Sequence, residues 1–156
     1  MTDPDQEGTR ALEEAARRRA DLHRALIEVE HAISSPAIGR EADWAKQVLL
    51  QLEDLGRTID EHIEVAERPE GLYDEITQKA PRLSHKIERL RAEHPEMRES
   101  TAQTIAKLRS SGIGDSWPLE QARDDLQRLL GKIVHHRQLG ADLVWEAYNL
   151  DIGGIE

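Results

Sequence analysis

The stretch WAKQVLLQLEDLGRTIDEHIEVA, residues 44–66, decides the fold. Its apolar residues Trp44, Val48, Leu52, Leu55, Ile59, Ile63 and Ala66 recur every three or four positions. That repeat puts them on one stripe of an α-helix, whereas a half-buried strand would need strict alternation. His62 falls on the same stripe, where an imidazole is uncommon unless it has a partner.

Three other segments carry the same repeat. From about Thr9 to Ser34 the stripe is Leu12, Ala15, Leu22, Leu26, Val29 and Ile33, ended by Pro36 and Gly39. From Pro81 onward it is Leu83, Ile87, Leu90, His94, Met97, Thr101, Ile105 and Leu108. The last runs through Leu119, Ala122, Leu126, Leu129, Ile133, His136, Gly140, Leu143 and Ala147, with Ser116 as N-cap and Gly153-Gly154 as the stop. Pro69 and Gly71 interrupt the second helix, and Leu72 and Ile76 beyond them return to helical spacing. The expectation is a helix from near Arg40 that bends at Pro69 and continues to about Gln78. Pro95 sits in the middle of the third helix and removes the amide that would serve the Arg91 carbonyl; the alternative is a helix end at His94 and a new helix starting at Pro95.

Composition agrees with packed helices. There is no Phe, and Trp and Tyr number three and two, so the core is Leu, Ile, Val and Ala. Short connections between long amphipathic helices favour antiparallel neighbours, giving an all-α, antiparallel up-down-up-down four-helix bundle over residues 9–156 behind a disordered leader, residues 1–8. The lack of Cys excludes disulfides and thiolate chemistry and suits a cytoplasmic protein. Neither a signal-like N-terminus nor a membrane-length apolar run is present. A net charge of −10 argues against nucleic acid as partner.

His62, His94 and His136 lie on three different stripes. The midpoint of the first pair is position 78, beside the turn at Lys79-Ala80-Pro81; that of the second is 115, inside the loop 111–116. Residues equidistant from a connecting turn lie side by side in antiparallel neighbours, so the three imidazoles are expected at one depth. Neutral imidazole is the commonest metal ligand, and three of them suit Zn²⁺, Cu or Fe. The competing reading is a hydrogen-bonded core cluster without metal. His23 is the one first-helix histidine near the core boundary, and His31, His85 and His135 face outward. Glu67 sits just off the His62 stripe. Glu14 and Arg18 fall near the histidine layer by turn counting and read as a core-edge ion pair; Trp44 reads as packing and Trp117 as a loop anchor.

Three clusters of residues carry a resemblance. They are Asp60-Glu61-His62 with Glu67 and Gly71-Leu72-Tyr73, then Leu90-Arg91-Ala92-Glu93-His94, then His135-His136-Arg137-Gln138 with Gly140-Ala141-Asp142-Leu143-Val144. In this order and spacing, over roughly residues 20–154, the chain resembles the hemerythrin-like (HHE-type) bundles. The resemblance implies a non-haem iron centre that binds or senses dioxygen, held in the full pattern by five histidines and two bridging carboxylates. This chain departs from that pattern. Ala66 stands where the second-helix carboxylate belongs, Arg98 where a second third-helix histidine belongs, and Gly140 where the last acid belongs. The ligands left are His62, His94 and His136, with His23 and Glu67 as weaker candidates. Two functions follow as expectations. One is metal-dependent ligand binding, sensing or stress response with iron, or zinc in its place. The other is a metal-free interaction or structural module. No phosphate loop, H-E-x-x-H or G-x-S-x-G motif points to an enzyme, and oligomeric state is not encoded legibly.

Overall fold

The computed structural model describes residues 4–150. Five α-helices account for most of them: α1 Pro4–Ser34, α2 Glu41–Glu67, α3 Leu72–Lys79, α4 Ser84–Ser110 and α5 Leu119–Trp145. A 3₁₀ turn, Pro81–Leu83, leads into α4, and a π-helical turn, Glu146–Leu150, follows α5. Among the described residues there is no strand, only an isolated bridge between Gly114 and Trp117. None of the helices is long and apolar enough to cross a membrane.

The four long helices form a bundle. α1 packs on α2, α2 on α4, α4 on α5, and α5 on α1. The stripes read from the sequence are the buried ones, from Trp44 to Ala66 on α2 and from Ala122 to Leu143 on α5. Leu12, Ile105 and Leu119 are only half-buried, at the edges of the core. The interior divides into two aliphatic clusters. One is built on Leu22, Val29, Leu52, Leu55, Leu126 and Ile133. The other is built on Ala15, Ala66, Leu72, Ile76, Ile87 and Leu143.

Three local expectations differ from the structure. α1 begins at Pro4, not Thr9; Pro is compatible with a first helical turn. Residues 1–3 of the leader and the stop at Gly153-Gly154 lie outside the described residues. Rather than bending at Pro69, α2 ends at Glu67. A tight turn follows, in which Arg68 N–H donates to the Glu64 carbonyl and Gly71 N–H to the Arg68 carbonyl. Glu70 adopts φ 62° in the left-handed region, and its N–H donates to Asp74 Oδ2 at 2.9 Å, fixing the start of α3. α4 does run unbroken through Pro95, as its continuous stripe implies, since packing against α2 and α5 outweighs one missing backbone bond. Ser116 does not cap α5. The loop closes instead by reciprocal Gly114–Trp117 backbone hydrogen bonds, and Pro118 takes the cap position.

Two glycines separate two effects. A Cβ on Gly71 would meet the Arg68 and Val65 carbonyl oxygens at 2.9 Å, whereas one on Gly131, inside α5, meets nothing within 4 Å. Gly131→Ala should stabilise by about 0.5–1 kcal/mol through helix propensity alone. Gly71→Ala should destabilise by about 1–3 kcal/mol through backbone crowding. Urea unfolding midpoints of the two variants are expected to move in opposite directions.

Candidate metal centre

Each histidine arrives on its stripe by helical spacing. His62 is one turn from Ile59 and Ala66 on α2, His94 lies between Leu90 and Met97 on α4, and His136 follows Ile133 on α5. They face inward and meet between the two aliphatic clusters. Their exposures are 9%, 1% and 2%. Ring centroids stand 4.9–5.3 Å apart, edge to face. One ring nitrogen from each falls within 4.8 Å of the others. The closest pair, His62 Nε2 and His136 Nε2, is 3.2 Å apart.

Two carboxylates stand behind these rings. Glu93 Oε1 is 2.8 Å from His136 Nδ1 and accepts its proton in a hydrogen bond. Glu67 Oε2 is 3.1 Å from His94 Nδ1. Glu67 lies off the N–H axis, so this contact is close but not an aligned hydrogen bond. Both carboxylates favour a proton on Nδ1, which leaves Nε2 of His94 and His136 as bare lone pairs. Those lone pairs have their own partners. Tyr73 O–H reaches His94 Nε2 at 3.3 Å, with its ring stacked on the imidazole at 12°. His62 Nε2–H faces His136 Nε2. Tyr73 comes from α3, and Arg91 lies over its ring at 5.5 Å from the centroid.

Burial governs the protonation of the layer. It pushes His62 down to about 3, with the neighbouring imidazoles and Arg19 adding to the effect. His94 is likewise pushed to about 3, by burial and then by His136, Arg91 and Arg98. His136 is lowered by burial and partly restored by Glu93. Burial also raises the Tyr73 phenol, keeping it a neutral donor. All three imidazoles are thus uncharged at neutral pH, the form that binds metal.

The weaker candidates do not join them. His23 is exposed on the outside of α1, and His31, His85 and His135 are exposed as well. Glu67 supports His94 from behind and is not among the converging atoms. Glu14 and Arg18 do not pair with each other. Glu14 binds Arg68 at 3.2 Å, and Arg18 binds Glu61 at 2.9 Å. Trp117 is the expected anchor, its indole N–H donating to Asp125 at 2.9 Å, and Trp44 packs in the core while donating to the Ile33 carbonyl at 3.1 Å. Sequence reasoning missed the roles of Glu93 and Tyr73. The signal for Glu93 was its place beside His94, on the edge of α4 that turns toward α5.

These residues fit a metal ion. Ligands about 2.1 Å from one tetrahedral ion lie about 3.4 Å apart; His62 Nε2 and His136 Nε2 stand 3.2 Å apart, and the set of three falls within 4.8 Å. Histidine ligands backed by carboxylates are the usual supporting arrangement of such sites. A cleft of about 840 Å³ between α4 and α5 reaches Glu93 and His136 from the surface. No family model, curated protein or solved structure matches the chain.

The lowered imidazoles set a pH dependence. In the unfolded chain they take up protons near 6.5; in the folded protein they do so only at lower pH. Between those values the unfolded state binds more protons, so stability is intact above about pH 6.5 and falls as pH drops below it. Carboxylates titrate mainly below about 4.5, so the interval from about pH 6.5 to 5 reports the histidines. Urea midpoints of the metal-free protein should decline across that interval. His94→Gln should flatten the decline, and an unchanged slope would contradict this electrostatic picture.

Proposed function

We propose that the chain is a hemerythrin-like bundle, folded up-down-up-down, in which His62, His94 and His136 together hold one metal ion. The observation that carries this reading is the convergence of one nitrogen from each of three buried, neutral imidazoles within 4.8 Å. The order of the two aliphatic clusters along the chain supports the topology. α1 contributes Ala15 to the second cluster before Leu22 to the first, α2 reverses that order, α4 reverses it again, and α5 once more.

Iron is the metal the resemblance favours; zinc is also compatible with three nitrogen ligands. A single ion is preferred over a pair because no carboxylate among the described residues joins the converging nitrogens. Ala66 and Gly140 leave two of the family's acid positions without oxygen ligands, and Arg98 is engaged by Asp60 at 2.8 Å. Glu67 and Glu93 instead orient His94 and His136 from behind. A bound ion would supply a Lewis-acidic position open to dioxygen or another small ligand. The chain's own residues would bind the ion, hold the ring tautomers and keep the surrounding layer dry. This reading favours ligand binding, sensing or stress response over turnover of a large substrate.

Protein purified without an affinity tag should carry about one metal ion per chain. Fe²⁺ or Zn²⁺ should raise its melting temperature near pH 7.5, since an ion bound only by the folded state stabilises it by mass action. The gain should shrink toward about pH 5.5 as protons compete for the imidazoles. His94→Ala should abolish it. Absence of metal together with absence of any shift transfers the protein to the alternative class, a metal-free interaction module with a hydrogen-bonded histidine core.

Glu93→Gln provides a separate check. It leaves every ligand in place but weakens the acceptor that fixes His136, and such outer-shell changes cost about 10–100-fold in metal affinity. Equal Zn²⁺ affinity in the wild type and the variant would show that Glu93 has no orienting role.

A further inference from the structure

The outward face of α5 differs from those of the other long helices. Exposed positions include Arg17 and Arg24 on α1, Lys46, Arg57 and Glu61 on α2, and Glu88, Arg89 and Glu99 on α4, as a solvated face requires. α5 turns Leu129, His136 and Leu143 into the core. Opposite them runs a stripe without charge: Gln127, Gly131, Val134, Gln138, Ala141 and Trp145. Val134 is 47% and Trp145 55% exposed. The alternating steps of four and three residues are those of an a/d seam, the pattern that one helix presents to another. A Cβ on Gly131 would meet nothing within 4 Å, so this glycine weakens the helix without serving a contact inside its own chain. Gln127 and Gly131 also line the cleft between α4 and α5, together with the apolar Met97, Leu129 and Ile133.

The seam is complementary to itself when reversed. In two antiparallel copies of α5, positions equidistant from position 136 face each other. Gly131 then meets Ala141, Val134 meets Gln138 and Gln127 meets Trp145, so each a position faces a d position. The Gly131–Ala141 pair lets the backbones approach, and the Trp145 indole lies beside Gln127 at the cleft. The flanking charges obey the same symmetry. Arg128 and Asp142 occupy equivalent e positions on one side of the seam, and reversal brings Arg128 of each copy beside Asp142 of the other. Parallel pairing would keep these charges about 20 Å apart. Within the chain Arg128 has only Asp125, at 3.7 Å, and its side chain is 71% exposed. Asp142 is exposed and has no ion-pair partner among the described residues. On the other side of the seam, Arg137 is drawn toward α1 by its hydrogen bond to the Arg19 carbonyl at 3.1 Å.

We propose that the outer face of α5 docks a second copy of this chain, antiparallel, with the two-fold axis level with His135 and His136. The proposal does not depend on the metal reading. A contact centred on one helix from each copy is small, so a dissociation constant of about micromolar order is expected.

Sedimentation velocity of the full chain over about 1–200 µM tests it. A reversible monomer–dimer equilibrium is expected. The gain expected above for Gly131→Ala belongs to the single chain and is read at the dilute end of this range. Val134→Glu should abolish the dimer. Arg128→Glu and Asp142→Lys should each weaken dimerisation about tenfold, because each turns two attractive contacts into repulsive ones. The double charge reversal, Arg128→Glu with Asp142→Lys, should restore it, which also shows that these exposed changes leave the fold intact. Arg17→Glu, exposed on α1, should behave like the wild type. A chain that stays monomeric throughout overturns the proposal. So does a dimer that tolerates Val134→Glu, or one that the charge reversal fails to restore.

Discussion

Three imidazoles cannot lie in the middle of an aliphatic core unless their nitrogens have partners. An unpaired buried polar group costs about 1–3 kcal/mol, and a charged one costs far more. The structure meets this constraint from two sides. Glu93 and Glu67 approach His136 and His94 from the helix edges, while Tyr73 and His62 face the inward nitrogens. Much of the local architecture serves that arrangement. The break at Pro69–Gly71 lets α3 swing Tyr73 onto His94, and the aliphatic core parts into two clusters to admit the polar layer.

Stability alone does not account for the layer. Leu or Ile at these positions would join the two clusters into one and leave nothing to pair. As built, burial holds all three histidines below their ordinary proton affinity, and His94 Nδ1 has a close but misaligned partner. Such a layer costs stability toward acid and gains only hydrogen bonds of modest net value. A bound metal ion would offset that cost: it would take the inward lone pairs in place of Tyr73 and His62, and the flanking carboxylates would then orient ligands.

The fold was legible because its information is periodic. Every long stripe, from Leu22–Ile33 to Ala122–Leu143, is written in spacing, and spacing also put His62, His94 and His136 at one depth. What stayed illegible depends on which turn of one helix meets which turn of another. Glu93 and Glu67 sit beside their stripes, where solvation is the default for a carboxylate, and only the contact of α4 with α5 and of α2 with α4 turns them onto imidazoles. Arg19 looks in the sequence like one of a run of three basic residues on a solvated face; the helix phase sets it, with Arg18, apart from the exposed Arg17. The turn after Glu67 was read as a bend because Leu72 and Ile76 keep helical spacing. Backbone hydrogen bonds at Arg68 and Gly71 decided otherwise. The resemblance to hemerythrin-like bundles includes the three histidines that the structure brings together, but it did not anticipate Tyr73 stacked on one of them.

X-ray absorption at the zinc edge of the Zn²⁺-loaded protein tests the assignment of His62, His94 and His136 most directly, because it reads the ligand atoms themselves. Three nitrogens at about 2.0–2.1 Å are expected, with the outer-shell scattering of imidazole rings and one additional light atom. A shell of oxygens alone, or one without imidazole scattering, would contradict a metal held by these three histidines.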